Sequence, residues 1–182
     1  MSCTIDAAER SVVAEAAPLP AATAKSAARA ATFVVFSGDL DKQLMALTLA
    51  NTAAASGMQT TLFFTFWGVS ALRTRRHVRG KQLIERMFGW MLPRGAGALP
   101  MSKLNFGGLG RRLIQWRMRK HGMPSLEQHL DMASALGVRL VACDASLALM
   151  GLRAAELRDG VQVGGAAGCL QSAADADIGM VI

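Results

Sequence analysis

Two kinds of apolar run alternate along the chain. Thr32-Phe33-Val34-Val35-Phe36 and the stretch from Met58 to Phe66 are short and continuously apolar, rich in β-branched and aromatic residues. Such runs predict strands covered on both faces. Between them, Leu40 to Ser56 carries helical spacing through Leu44, Leu47 and its alanines, with Asp39 or Asp41 suited to the N-cap and Gly57 to the C-terminal cap. Pro124-Ser125-Leu126-Glu127 opens a second helix that runs to Leu136, where Gly137 caps it. Val138 to Ala142 is a third strand, and Asp144 to Gly151 reads as a helix that follows at once. A helix around Ala166 to Ala174 and a last strand over Ile178 to Ile182 complete the pattern. Apolar strands separated by helices predict an α/β fold, a three-layer α/β/α sandwich with a mostly parallel sheet of flavodoxin-like type.

The stretch from Arg73 to Met123 departs from this alternation. It holds helical patches at Gln82 to Met91 and Arg111 to His121, joined by the loop Pro93 to Pro100. With Met87, Phe88, Trp90, Met91, Leu113, Ile114, Trp116 and Met118 it has more apolar surface than a peripheral hairpin needs. It is expected to be a helical insertion that acts as a lid over the strand ends or as an oligomer contact. The 30 residues between Lys42 and Arg73 are uncharged, which raises the question of a membrane span. Asn51, Ser56-Gly57 and Gln59-Thr60-Thr61 interrupt the run, so a helix, a glycine cap and a buried strand account for it better. Residues 1–31 are alanine-rich, contain Pro18 and Pro20, and have no apolar core behind a basic start. They are expected to be a disordered leader rather than a secretory signal, ahead of a single domain over residues 32–182.

Charge is unevenly placed. Of the 20 Lys and Arg residues, 13 lie between Arg73 and His121 beside one acid, Glu85, whereas the last 61 residues hold seven acids and three bases. The net charge of +7 is thus a property of one segment. Arg73, Arg75, Arg76, Arg79, Lys81 and Arg86, with Arg111, Arg112, Arg117, Arg119 and Lys120, form a basic set that suits a solvated face, an anionic membrane surface or an acidic protein. No aromatic interleaving or RNA-binding signature accompanies them, so nucleic acid is not the expected partner. Three widely spaced cysteines, Cys3, Cys143 and Cys169, give neither a disulfide framework nor a CxxC pair. A reduced, cytoplasmic protein is expected.

Ligands of open parallel sheets gather outside the carboxyl ends of the strands. That edge should hold Ser37-Gly38-Asp39, Trp67-Gly68 and Cys143-Asp144. Cys143 is the chief candidate for chemistry. It closes one strand and precedes a helix, a place that can expose a thiol and lower its pKa. A buried small hydrophobe is the competing account. Ser146 is an additional hydrogen-bond donor, whereas Asp144 opposes a thiolate unless its carboxylate points outward. Cys169 is expected to be a buried helix position. Gly107-Gly108-Leu109-Gly110 and Gly164-Gly165-Ala166-Ala167-Gly168 lack the Gly-Lys-Ser/Thr of a nucleotide loop, and neither follows a convincing first strand. His77, His121 and His129 are not spaced as metal ligands, and no cofactor is called for.

The words Phe36-Ser37-Gly38-Asp39-Leu40-Asp41-Lys42, Ala50-Asn51-Thr52-Ala53-Ala54-Ala55-Ser56-Gly57 and Phe63-Phe64-Thr65-Phe66-Trp67-Gly68 resemble the DsrE/DsrF/DsrH-like family, in its longer branch often labelled peroxiredoxin-like. Met91 to Gly95, Leu99 to Asn105 and Ala142-Cys143-Asp144-Ala145-Ser146 fit it as well, so the likeness runs from Thr32 to Ile182. The resemblance implies a homo-oligomeric α/β/α protein in intracellular sulfur relay, a sulfur carrier or sulfurtransferase-like protein whose persulfide sits on Cys143. It also implies rhodanese-like donors and TusA-type carriers as partners. Peroxide reduction is not implied, because the thioredoxin-like threonine-cysteine motif is absent. Two other readings remain at this point. One is a non-catalytic oligomeric or membrane-peripheral scaffold that binds through the basic Trp- and Met-rich insertion; the other is a thiol redox protein using Cys143 with Cys169.

Overall fold

A computed structural model of the chain describes residues 29–74, 87, 92, 93, 95–103 and 105–182. Five strands form one parallel sheet: β1 (Ala30–Val35), β2 (Gln59–Phe64), β3 (Arg139–Cys143), β4 (Gln162–Gly164) and β5 (Ile178–Val181), in the order β4-β3-β2-β1-β5. Among the described residues, five α-helices connect or flank them: α1 (Leu40–Ala55), α2 (Leu109–Lys120), α3 (Leu126–Ala135), α4 (Asp144–Leu149) and α5 (Ala166–Ala174). The three central strands are the continuously apolar runs, and they occupy the centre of the sheet because only there are both faces covered.

The two faces differ. Phe33 and Val35 of β1, Leu62 and Phe64 of β2, and Leu140 and Ala142 of β3 point into the main core. There they meet Leu40, Leu47 and Ala50 of α1 and Leu126, Leu130 and Ala133 of α3. The alternate residues Val34, Phe63, Val141 and Cys143 form a smaller cluster on the opposite face, with Cys169 of α5 packed against it. The Thr32 hydroxyl donates to the Ser172 carbonyl at 2.8 Å and ties α5 to β1.

The helix ends follow from their residues. Ser125 caps α3 through a capping box with Gln128, and Gly137 beyond its C-terminus takes φ +75°, so that Val138 N–H reaches the Ala133 carbonyl. Asp39 occupies the N-cap of α1 without a side-chain bond to the helix, and Gly57 at φ +82° closes that helix ahead of β2. The run between Lys42 and Arg73 is therefore helix α1, strand β2 and a 3-10 helix over Phe66–Leu72. Among the described residues no helix is long and apolar enough to cross a membrane.

Several expectations need correction. The second strand ends at Phe64, not Phe66, because Phe66 turns to φ +44° and starts the 3-10 helix. The three-residue edge strand β4 was not legible in Gln162-Val163-Gly164, whose residues are largely exposed. Arg73 is not part of a solvated basic face. It is buried, its guanidinium lies 3.7 Å from the Glu156 carboxylate, and it donates to the Pro93 carbonyl at 3.3 Å. His129, by contrast, needs no correction: it packs buried on helix α3, with Nδ1 at 3.0 Å from the Ser125 carbonyl. The expected leader ends too late: Ala30 and Ala31 already belong to β1, with Ala31 buried in the core, because both pair with β2. Residues 1–28 of that leader, with Cys3, and nearly all of the expected helix over Gln82 to Met91 lie outside the described residues.

Candidate functional site

Cys143 is the last residue of β3 and the N-cap of α4, with extended backbone (φ −67°, ψ 122°). An extended residue that ends a strand and begins a helix aims the amides of the next residues back past its own side chain. The loop after the neighbouring strand β2 completes the surroundings of the sulfur. Ser146 lies one turn into α4 and is buried; its Oγ accepts the Phe66 N–H at 2.9 Å and shares a proton with Thr65 Oγ1 at 3.0 Å.

These donors decide the state of the thiol. Burial raises the Cys143 pKa, but the polar groups beside the sulfur, the Ser146 hydroxyl and amide first and then the Thr65 hydroxyl and the Ala145 amide, outweigh it. They hold the thiol below its ordinary value. The side chain of Asp144 is exposed, and its Oδ1 accepts the Ala145 N–H at 2.6 Å. Its carboxylate faces the backbone at Gly165, where an added Cβ would lie 3.4 Å from Oδ2.

The expected exposure of the sulfur is not what the fold provides. Cys143 is only 7% exposed, because Phe63 and Val141 pack around it on the α5 face. Cys169 differs in the other sense: it is half-buried rather than buried and packs against the same cluster. Burial, and then the negative charge of Cys143, push the Cys169 thiol up.

Ser37, Gly38, Asp39, Trp67 and Gly68 form a second, separate group at the same sheet edge. Asp39 accepts from the Ser37 hydroxyl and from Lys42, both at 2.9 Å. Gln43, wholly buried, donates to the Ser37 and Gly68 carbonyls at 2.6 and 3.2 Å and clamps the two loops together. Gly68 is required by close approach, since a Cβ there would lie 2.2 Å from the Val35 carbonyl oxygen. Ser37, Gly38, Asp39, Lys42 and Trp67 line a cleft of about 430 Å³ with Ser70, Leu92 and Pro93; Cys143 does not line it. The exposed rings of Phe36 and Phe66, with centroids 5.2 Å apart, rise from the loops of β1 and β2 at this edge.

Sequence reasoning missed Thr65 and the backbone of Phe66. Thr65 sits inside an apolar word where a hydroxyl looks incidental, and only the parallel pairing of β2 with β3 brings it to Ser146. Among the described residues no group of three or more His, Cys, Asp or Glu side chains is arranged to hold a metal ion.

The model of the DsrE/DsrF/DrsH-like family matches residues 27–181. The chain is 42% identical over 152 residues to the uncharacterized protein YrkE of Bacillus subtilis, covering 83% of this chain and 95% of that protein. It is 28% identical over 149 residues to the sulfur carrier protein DsrE2 of Allochromatium vinosum, covering 80% of this chain and 92% of that one. Among solved structures, the YchN protein of E. coli superposes with a TM-score of 0.50 at 14% identity, over 85% of this chain and 99% of its own, a likeness of fold.

Proposed function

The chain belongs to the DsrE/DsrF/DrsH-like family, and from that membership we propose that it is a sulfur-relay protein that carries sulfane sulfur as a persulfide on Cys143. The observation that carries this reading is the set of hydroxyl and amide donors around the Cys143 sulfur, which favours its thiolate in spite of burial. Similarity to a protein named as a sulfur carrier supports the same general role.

The Cys143 thiolate attacks the outer sulfur of a donor persulfide. A new S–S bond forms on Cys143 as the donor's bond breaks, and the donor leaves as a thiolate. The polar groups beside the sulfur, above all the Ser146 hydroxyl and amide with Thr65 next to them, favour negative charge there before and after transfer. An acceptor thiolate then takes the terminal sulfur by the same exchange in reverse. Rhodanese-like donors, TusA-type acceptors and homo-oligomer formation belong to this proposal, as does a cytoplasmic location.

The test is intact-mass analysis with peptide mapping after incubation with polysulfide, or with thiosulfate and a rhodanese. The expected result is a gain of roughly 32 Da on the Cys143 peptide, reversed by reductant and absent in Cys143→Ser, the mark of one sulfane sulfur held by thiol exchange. An unmodified Cys143 under conditions that load a control rhodanese would overturn the reading.

One observation favours a second reading, a membrane-peripheral scaffold. Leu109, Leu113 and Trp116 are exposed at helical spacing along α2, with Phe106 exposed in the turn before it, beside exposed Arg112, Arg117, Arg119 and Lys120. Flotation with anionic liposomes that is equal for wild type and Cys143→Ser, in a protein that takes up no sulfane sulfur, would put this reading first.

A further inference from the structure

A buried carrier thiol raises a problem of delivery. Cys143 is 7% exposed and packs with Val34, Phe63 and Val141, so a persulfide formed there starts from a sulfur closed off from solvent. The side chain packed against that cluster from the helical layer is Cys169, which is half-buried and therefore more open than Cys143. The topology makes the meeting systematic. Cys143 pairs with Gly164 in the parallel ladder of β3 and β4, Gly165 is the N-cap of α5, and Cys169 lies in the first turns of that helix. Its helix neighbours Ala167, Gly168 and Leu170 are exposed, and nothing lies within 4 Å of where a Cβ on Gly168 would stand. The surface beside Cys169 is therefore clear for an approaching thiol.

We propose that Cys169 is a second sulfur-bearing thiol, which takes the sulfane sulfur from Cys143 inside the protein and presents it to the acceptor at the α5 face. The inference rests on the carrier reading of Cys143. In the transfer step the Cys169 thiolate, its proton released to water, attacks the outer sulfur of the Cys143 persulfide. The S–S bond on Cys169 forms as the bond to Cys143 Sγ breaks, and Cys143 leaves as a thiolate. The sulfane sulfur changes carrier with no net oxidation and no other reagent. The direction agrees with the electrostatics of the pair. A thiol held below the ordinary value is the better leaving group, and one held above it is the stronger nucleophile once deprotonated.

The experiment uses the full-length protein and three variants: Cys143→Ser, Cys169→Ser and Cys169→Ala. Each is given one equivalent of polysulfide sulfur, trapped by rapid alkylation at successive times and mapped by peptide mass; delivery is read with a small thiol as acceptor. In the wild type the added sulfur should appear first on the Cys143 peptide and then on the Cys169 peptide. Cys143→Ser should leave Cys169 unlabelled over that time. Both Cys169 variants should load Cys143 normally yet deliver on the order of tenfold more slowly, having lost the intramolecular step. Label that stays on Cys143 alone, with both Cys169 variants delivering at the wild-type rate, overturns the inference and leaves the carrier reading standing. So does label on Cys169 that is unaffected by Cys143→Ser, because Cys169 is then loaded independently. If Cys143 itself never loads, both fall together.

Discussion

At the scale of single residues, the behaviour of Cys143 depends on Ser146 more than on the helix that follows the strand. The Ser146 hydroxyl and amide lead the groups that lower the Cys143 thiol, and the Ser146 oxygen also accepts the Phe66 N–H. Ser146→Ala removes the hydroxyl and leaves the Phe66 amide without that partner, a loss of about 1–3 kcal/mol if the group becomes buried and unsatisfied. The same change moves the Cys143 thiol back up. Alkylation of Cys143 followed against pH should then show a midpoint higher than in the wild type and a slower rate near neutrality, with Thr65→Val shifting it in the same direction. Stability has a matching sign. The folded value for Cys143 lies below the unfolded one, so its contribution is fully present above the ordinary thiol pKa of about 8.5 and is lost as pH falls through the folded value. Denaturant midpoints of wild type and Cys143→Ser, compared from about pH 6 to about pH 9, should therefore diverge in favour of the wild type as pH rises. Cysteine at a strand-to-helix junction was legible in the sequence as a candidate. So was Ser146 beside it, and burial stood as the competing account; the part played by Thr65 and the Phe66 amide was not legible, because they reach Ser146 across a strand pairing that no local spacing encodes.

At the scale of elements, strands and helices were legible wherever an apolar run was long and ended in a residue with a conformational reason to stop it. Gly57 and Gly137 supply the left-handed turns that end α1 and α3, and both helices stand as their patterns predict. The failures share a cause, which is that tertiary contacts decide them. Phe66 could extend β2, but Gly68 N–H donates to the Phe36 carbonyl at 3.0 Å and draws the chain across the end of β1 instead. Gly68→Ala should show how tight this crossing is. Its methyl would lie 2.2 Å from a backbone oxygen that has little freedom to yield, so overpacking should lower stability by about 1–3 kcal/mol. The denaturant midpoint should fall with the slope unchanged. Arg73 fails for a similar reason. In sequence it begins a basic run, yet Thr74 N–H donates to the Glu156 carbonyl and Arg158 N–H to the Leu72 carbonyl, joining two distant segments and burying the ion pair between them. Glu156→Ala leaves the Arg73 guanidinium buried without that carboxylate and should destabilise by about 3–5 kcal/mol in the same assay. Glu156→Gln, which retains an acceptor, should lose less.

At the scale of the whole molecule, the basic residues that remain at the surface and the two thiols occupy different parts of the structure. Cys143 and Cys169 lie between the sheet and α5, whereas Arg112, Arg117, Arg119 and Lys120 stand exposed on α2, which belongs to the segment between β2 and α3. Arg111, by contrast, is held against the Ala98 carbonyl at 2.9 Å, and Lys120 lies 5.6 Å over the Trp116 ring. Charges outside the reacting groups act on encounter rather than on the exchange itself, through a field that salt screens over a Debye length of about 8 Å at physiological ionic strength. The two kinds of step can therefore be separated in one experiment. If the donor or acceptor presents an acidic surface, its bimolecular rate with this protein should fall as salt is raised. Arg112→Glu combined with Arg119→Glu should slow the same step at low salt and flatten its salt dependence. The first-order movement of sulfur from Cys143 to Cys169, read by rapid alkylation in the preloaded protein, should respond to neither. A bimolecular rate indifferent both to salt and to the double charge reversal would show that α2 does not steer the sulfur partner. Its exposed Leu109, Leu113 and Trp116 would then be better tested against anionic liposomes than against a protein.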